Sequence, residues 1–175
     1  MRVAIDIDGV LRDFTNAVKT VYLGEFPHHK VEEITEWGIH KFYPIGEGIY
    51  DFVFKLHAEE IFTKAQAYRG AAAFMRALKA RKHEVWVVTS QPMGQEPFTL
   101  QWLRDNGIVY DSIAFTVNKP VVDCDIFLDD GTHNLTAIRE AGKFAVAFDR
   151  PWNSGWTGLR VKSYKGFTDL LKGGV

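Results

Sequence analysis

The sequence predicts an α/β fold: a doubly wound, mainly parallel sheet with a small helical cap inserted after the first strand. Three observations predict the sheet and the cap. Short, continuously apolar runs recur at Val3–Ile7, Val85–Val88, Ile126–Leu128 and Phe144–Phe148. Unbroken apolar character, as opposed to alternation, marks strands covered on both faces, the situation in parallel sheets. Helical patterns at Ala71–Ala80, Phe98–Asn106 and Leu135–Ala141 separate the later runs, as right-handed crossovers require. Finally, the roughly sixty residues between the first run and Gly70 carry no strand signal, and a connection of that length is rarely one structureless loop.

The elements follow in order. Val3–Ile7 is a buried strand that delivers Asp6 and Asp8 to its carboxyl end, where Gly9 lets the chain turn. Ala17–Leu23, Lys30–Trp37 and Glu47–Phe62 read as cap helices, broken by Pro27 and Pro44. The expected division is a core of residues 1–15 and 68–175 with a cap of residues 16–67. Arg150-Pro151-Trp152-Asn153-Ser154-Gly155-Trp156 has loop composition, and a short strand at Leu159–Val161 and a helix at Phe167–Leu171 end the chain.

Composition narrows the function. The 175 residues suit one α/β domain, and 46% hydrophobic with 25% charged residues is an ordinary globular balance. A formal charge of -1 offers no field for a polyanion, so a polynucleotide partner is not expected. No apolar run approaches a membrane span, and the early Asp6 does not suit a signal peptide. The single Cys124 excludes an internal disulfide and reads as a buried thiol. A cytoplasmic location is the natural expectation; self-association into a homodimer is left open.

Polar residues follow three predicted strands: Asp6 with Asp8, Thr89 with Ser90, and Asp129 with Asp130. Ligands of open α/β sheets collect beyond the carboxyl ends of the strands, so the fold should bring these residues together. Four carboxylates in one crevice repel unless a cation or shared protons compensate. Mg²⁺ is the economical solution, since it prefers oxygen and suits phosphate substrates. Its expected ligands are Asp6, Asp8, Asp129 and Asp130, with one of the last pair in direct contact and the other acting through water or a supporting hydrogen bond.

Phosphoryl transfer follows from this constellation. Asp6 is the expected nucleophile, forming an aspartyl-phosphate, and Asp8 the acid for the leaving group and later the base for water. Lys119 is the candidate for the fixed positive charge beside Asp6, although a lone lysine is ordinarily solvated. Thr89 and Ser90 could hold a phosphate oxygen, but helix capping or a turn explains a strand-end Thr-Ser equally well.

Together these residues resemble the haloacid-dehalogenase-like phosphatases. Asp6-Ile7-Asp8-Gly9-Val10 is similar to their first motif, Thr89 to the second, Lys119 to the third and Asp129-Asp130 to the fourth, in the same order. A narrower resemblance is to the 5'(3')-deoxyribonucleotidases, carried by Asp6–Phe14, Val88-Thr89-Ser90, Lys119–Asp130 and Phe148–Asn153. The resemblance implies metal contacts from Asp6, the backbone carbonyl of Asp8 and one aspartate of the last pair. It also implies a small-molecule phosphate substrate, a deoxyribonucleoside monophosphate, whose base packs on cap aromatics.

The proposed cap is dense in rings, with Trp37, Phe42, Tyr43, Tyr50, Phe52 and Phe54. Such rings either stack on a base or fill the cap's own core. Phe42 and Tyr43 beside Pro44 are the preferred substrate contacts, with Phe14 just beyond the nucleophile. His133 reads as a local cap, and Trp152 and Trp156 as packing for the final loop. Another small phosphate, such as a sugar phosphate, is the enzymatic alternative; a catalytically silent nucleotide- or protein-binding domain is the other.

Overall fold

Strand β1 (Arg2–Ile5) lies in the middle of a six-stranded parallel sheet. The computed structural model describes residues 1–174, so Val175, part of the expected core, lies outside the described residues. β1 is followed by helix α1 (Phe14–Glu25), the short helix α2 (Gly48–Asp51), α3 (Ala58–Lys64) and α4 (Ala71–Ala80). Then come β2 (Glu84–Thr89), α5 (Glu96–Asp105), β3 (Ser112–Phe115), β4 (Ile126–Asp129), α6 (Thr132–Glu140), β5 (Phe144–Phe148), β6 (Leu159–Val161) and α7 (Tyr164–Gly173).

The sheet order is β3-β2-β1-β4-β5-β6. β1 pairs with β2 on one side and β4 on the other, placing Ala4 opposite both Trp86 and Phe127. The winding reverses at β1, and such a switch point opens a crevice at the strands' carboxyl ends. Asp6, Thr89 and Asp129 all lie at that edge.

Both sheet faces are covered, which is why the strands are continuously apolar. On one face α4 lays down Ala71, Phe74, Met75 and Leu78, spaced i, i+3, i+4, i+7, together with Trp102 of α5 and Phe167 of α7. On the other face Leu135 and Ile138 of α6 and Trp156 pack on Ala4, Val88 and Phe127. Cys124 belongs to this second layer, and burial pushes its thiol up to about 12, consistent with an inert packed side chain.

The helices inserted after β1 form a third cluster of their own, around Val18, Tyr22, Tyr43, Ile49, Phe52, Val53, Ile61 and Phe62. Two chain segments join them to the sheet and clasp each other: Asp13 N donates to Gln66 O and Tyr68 N to Leu11 O, both at 2.8 Å.

Three details differ from the sequence reading. Residues 30–37 form no helix; Val31 and Ile34 are spaced i, i+3 and turned inward, but the β-branched Val31, Ile34 and Thr35 favour extended backbone. The expected helix Glu47–Phe62 is instead α2, a π-helical turn over Phe52–Leu56, and α3. β3 was not anticipated, because this short edge strand is only half-buried and carries a weak apolar signal. Among the described residues no helix is long and apolar enough to cross a membrane.

Candidate active site

Asp6 still belongs to the sheet, since its backbone N–H donates to Leu128 O at 3.0 Å. The chain then folds back on itself: the N–H groups of Leu11 and Arg12 both donate to Ile7 O, at 2.7 and 2.8 Å. Gly9 has φ +74, and a Cβ there would lie 1.8 Å from Asp130 Oδ2. Only glycine lets the loop after β1 press this closely against the end of β4.

Asp6, Asp129 and Asp130 each offer a carboxylate oxygen within 4.8 Å of the others. Lys119, the first residue of a short turn over Lys119–Val121, rises beneath them and is buried. Its Nζ lies 2.8 Å from Asp6 Oδ2 and 2.6 Å from Asp129 Oδ2. Asp129 is fixed on its other side by Gly131 N–H at 2.8 Å and Asn134 Nδ2 at 3.1 Å. Asp130 accepts from Trp152 Nε1 at 2.9 Å, and Asn153 Nδ2 holds its backbone carbonyl at 2.9 Å.

Electrostatics follow from burial. Desolvation pushes the Asp6 carboxyl up to about 7, against the opposing pull of Lys119. Asp130 is driven well above the usual carboxylate range by burial first, then by Asp6 and Asp129. For Lys119, burial works against the ammonium, but Asp129 and Asp6 outweigh it and the net shift is upward. With all three buried carboxylates ionised, the one ammonium would leave two negative charges uncompensated among the described residues. The donor set is all oxygen, so the residues fit a hard divalent cation.

Asp8 stands apart from this cluster. Its carboxylate is gripped by Arg12, Nε to Oδ1 at 2.7 Å and Nη2 to Oδ2 at 3.0 Å. Its side chain is therefore not one of the clustered carboxylates; the expected metal contact rests on its backbone carbonyl alone.

A cavity opens above the cluster, between the sheet edge and the inserted helices. Asp6, Asp8, Thr89, Ser90 and Asp130 line its floor. Thr89 Oγ1 is buried without a hydrogen-bond partner among the described residues, whereas the Ser90 hydroxyl already donates to Thr116 O at 2.9 Å. Of the pair, Thr89 is the one left needing a ligand.

Phe14, on the first turn of α1, lines the cavity. Phe42 and Tyr43 do not line it, and their expected substrate role is corrected. Tyr43 is buried edge-on against Tyr22, with ring centroids 4.9 Å apart, and Phe42 packs on the same cluster. The small cap needs these rings for its own core. The cavity wall is made by Trp37, Tyr50, Phe54 and Phe62 from the inserted segment and Trp152 from the loop after β5. Trp37 also meets His133 of α6 across the mouth, at 4.6 Å between centroids. Trp152 is thus a site residue as well as loop packing, whereas Trp156 packs in the sheet layer. Neither Trp37 nor Trp152 is betrayed by its sequence neighbours.

The family model "5' nucleotidase, deoxy (Pyrimidine), cytosolic type C protein" matches residues 1–173. The chain belongs to this family. The chain is 27% identical over 157 residues to a 5'(3')-deoxyribonucleotidase of Bacillus subtilis strain 168, covering 86% of each chain. A 5'(3')-deoxyribonucleotidase of Bacillus phage SPbeta matches to the same extent. A haloacid-dehalogenase-like hydrolase of Streptococcus pneumoniae shares the fold, with TM-score 0.69, 12% identity and 97% of each chain covered. The nucleotidase-family chain thus has the fold of the haloacid-dehalogenase-like hydrolases, and its carboxylate triad can chelate a divalent metal.

Proposed function

We propose that the protein is a Mg²⁺-dependent phosphomonoesterase that hydrolyses nucleoside monophosphates, deoxyribonucleotides foremost. The observation that carries this reading is the pairing of a carboxylate floor, backed by the buried Lys119, with a ring-lined wall in one cavity. A phosphate belongs over the floor and a flat base against Trp37, Tyr50, Phe54 or Trp152. The names of the Bacillus and phage relatives point the same way.

The chain's own residues supply the following chemistry. An Asp6 carboxylate oxygen attacks phosphorus, and the bond to the ester oxygen breaks as Asp8 gives that oxygen a proton. Asp8 then takes a proton from water as the water attacks phosphorus of the Asp6 acyl phosphate, which returns free Asp6 and inorganic phosphate. Lys119 keeps Asp6 ionised and aligned, and the Thr89 hydroxyl supplies a hydrogen bond to a phosphate oxygen. Asp6, Asp129, Asp130 and the Asp8 carbonyl would hold Mg²⁺, which offsets charge on the phosphate oxygens.

The test is a panel of ribo- and deoxyribonucleoside monophosphates beside sugar phosphates, with Mg²⁺ and with chelator. The expected kcat/KM for deoxyribonucleotides exceeds that for sugar phosphates by at least about tenfold, the worth of one base–ring stack of roughly 1–3 kcal/mol. Equal turnover of sugar phosphates would overturn the substrate assignment and leave the phosphatase chemistry standing.

A further inference from the structure

Arg12 is a fully buried cation that the reaction scheme above does not use. It lies in the clasp between the sheet and the inserted helices, where its backbone bridges Ala67. Its side chain is fully committed. Nε and Nη2 fork onto the two oxygens of Asp8, and Nη1 donates to Phe62 O at 3.2 Å and Thr99 Oγ1 at 3.3 Å. The guanidinium carbon sits 4.7 Å from the centre of the Phe62 ring and 5.2 Å from that of Trp102. Phe62 belongs to α3 of the inserted segment, whereas Thr99 and Trp102 belong to α5 of the core.

Stability alone explains this poorly. Burying a guanidinium costs several kcal/mol, and apolar residues of similar volume commonly serve as well or better in such positions. What an apolar residue lacks is the planar fork, which fixes both the place and the plane of a carboxylate. Asp8 has its side chain 27% exposed and lines the cavity, so without Arg12 it would be free to turn. The fork occupies one lone pair on each Asp8 oxygen and leaves another on each for a proton in transit.

We infer that Arg12 is a positioning residue that aims Asp8 at the leaving-group oxygen, tying that aim to α3 through Phe62 O and to α5 through Thr99. The inference rests on the assignment of Asp8 as general acid. Arg12 touches neither substrate nor metal; it acts through Asp8.

The experiment compares kcat/KM for a nucleoside 5'-monophosphate and for p-nitrophenyl phosphate, in Mg²⁺, for wild type, D8N, R12M, R12K and R12M/D8N. This ratio covers the steps through loss of the leaving group. An alkoxide needs a proton there, whereas p-nitrophenolate leaves without one. R12M is expected to lose about 10²-fold on the nucleotide, the cost of a misplaced catalytic group, and less than about threefold on the aryl ester. In the D8N background R12M should cost less than about threefold on either substrate, because its effect passes through a carboxylate already removed.

Equal losses of R12M on both substrates, or an undiminished loss in the D8N background, would overturn the inference. If R12M does not fold, as judged by circular dichroism, R12K decides: it keeps the charge and loses the fork, and a wild-type nucleotide-to-aryl ratio would overturn the inference. The underlying assignment fails separately, and takes the inference with it, if D8N alone lowers both substrates equally.

Discussion

The floor of the cavity and its wall are held in place by largely different means. Asp6 and Asp130 on the floor, and Lys119 and Asp129 beneath it, are buried, and each is fixed by directed hydrogen bonds or ion pairs. The wall is held mainly by packing, with directed bonds from Trp152 to Asp130 and between Tyr50 and His40, and two of its rings face solvent, Trp37 55% and Tyr50 38% exposed. Directed bonds fix atoms to a fraction of an ångström, as bond-making requires. Ring packing is tolerant of angle, which suits recognition of a flat surface. Under the proposed function, the floor would set the reaction class and the wall the choice of substrate.

The largest test of this division removes the nucleophile. D6N should lower kcat by more than about 10⁴-fold and abolish the covalent phosphoprotein seen by mass spectrometry after acid quench, with the fold intact. Near-normal turnover by D6N would dissolve the distinction, because the floor would then not be performing the chemistry.

A second test separates rings that build the cap from rings that face the cavity. Tyr43→Ala should cost about 3 kcal/mol of unfolding free energy, as expected for an aromatic lost from a core. Measured where the variant is fully folded, its kcat/KM should stay within about threefold of wild type. A large kinetic loss with little destabilisation would restore Tyr43 to the wall.

The floor should also respond to pH and cation in a way the wall does not. Burial raises the Asp6 carboxyl from 3.8 to about 7, so the metal-free native state binds more protons than the unfolded chain between those values. That stabilising contribution is complete below about pH 4 and is lost as pH rises through about 7. Metal-free protein should therefore melt lower at pH 8 than at pH 5. Mg²⁺ at 100 times its Kd should add about 2.7 kcal/mol at pH 8, roughly 5–10 °C in Tm, and less at pH 5. Identical melting with and without Mg²⁺ at pH 8 would remove the cation from the floor.

The smallest effect is expected on the wall. Trp37→Ala should raise KM for a nucleotide about tenfold or less, the worth of one aromatic contact at roughly 0.5–1.5 kcal/mol, and leave kcat within about twofold. A fall in kcat with unchanged KM would mean that Trp37 aligns the reacting groups through its contact with His133.

Legibility followed the same boundary. Asp6, Thr89 and Asp129 could be read because each ends an apolar run, and the parallel sheet carries such ends to one edge. Lys119 was readable as the compensating charge ahead of β4. Arg12 stands four residues after Asp8, a spacing that hints at a pair, yet nothing local says that Phe62 and Thr99 complete its surroundings. Phe42 and Tyr43 read as substrate contacts because they stand beside Pro44 in a loop pattern, whereas Tyr43 packs on Tyr22 and Phe42 on the same cluster.

By itself, the sequence determined the α/β class, the insertion after β1 and the carboxylates at the sheet edge. Periodicity and strand-end chemistry are properties of neighbouring residues, so they survive without a third dimension. Tertiary structure decided which rings face the cavity, that Gly9 must lack a side chain where Asp130 approaches, and that Arg12 grips Asp8. Each depends on atoms from segments distant along the chain, and short-range patterns carry no record of which distant surfaces will meet.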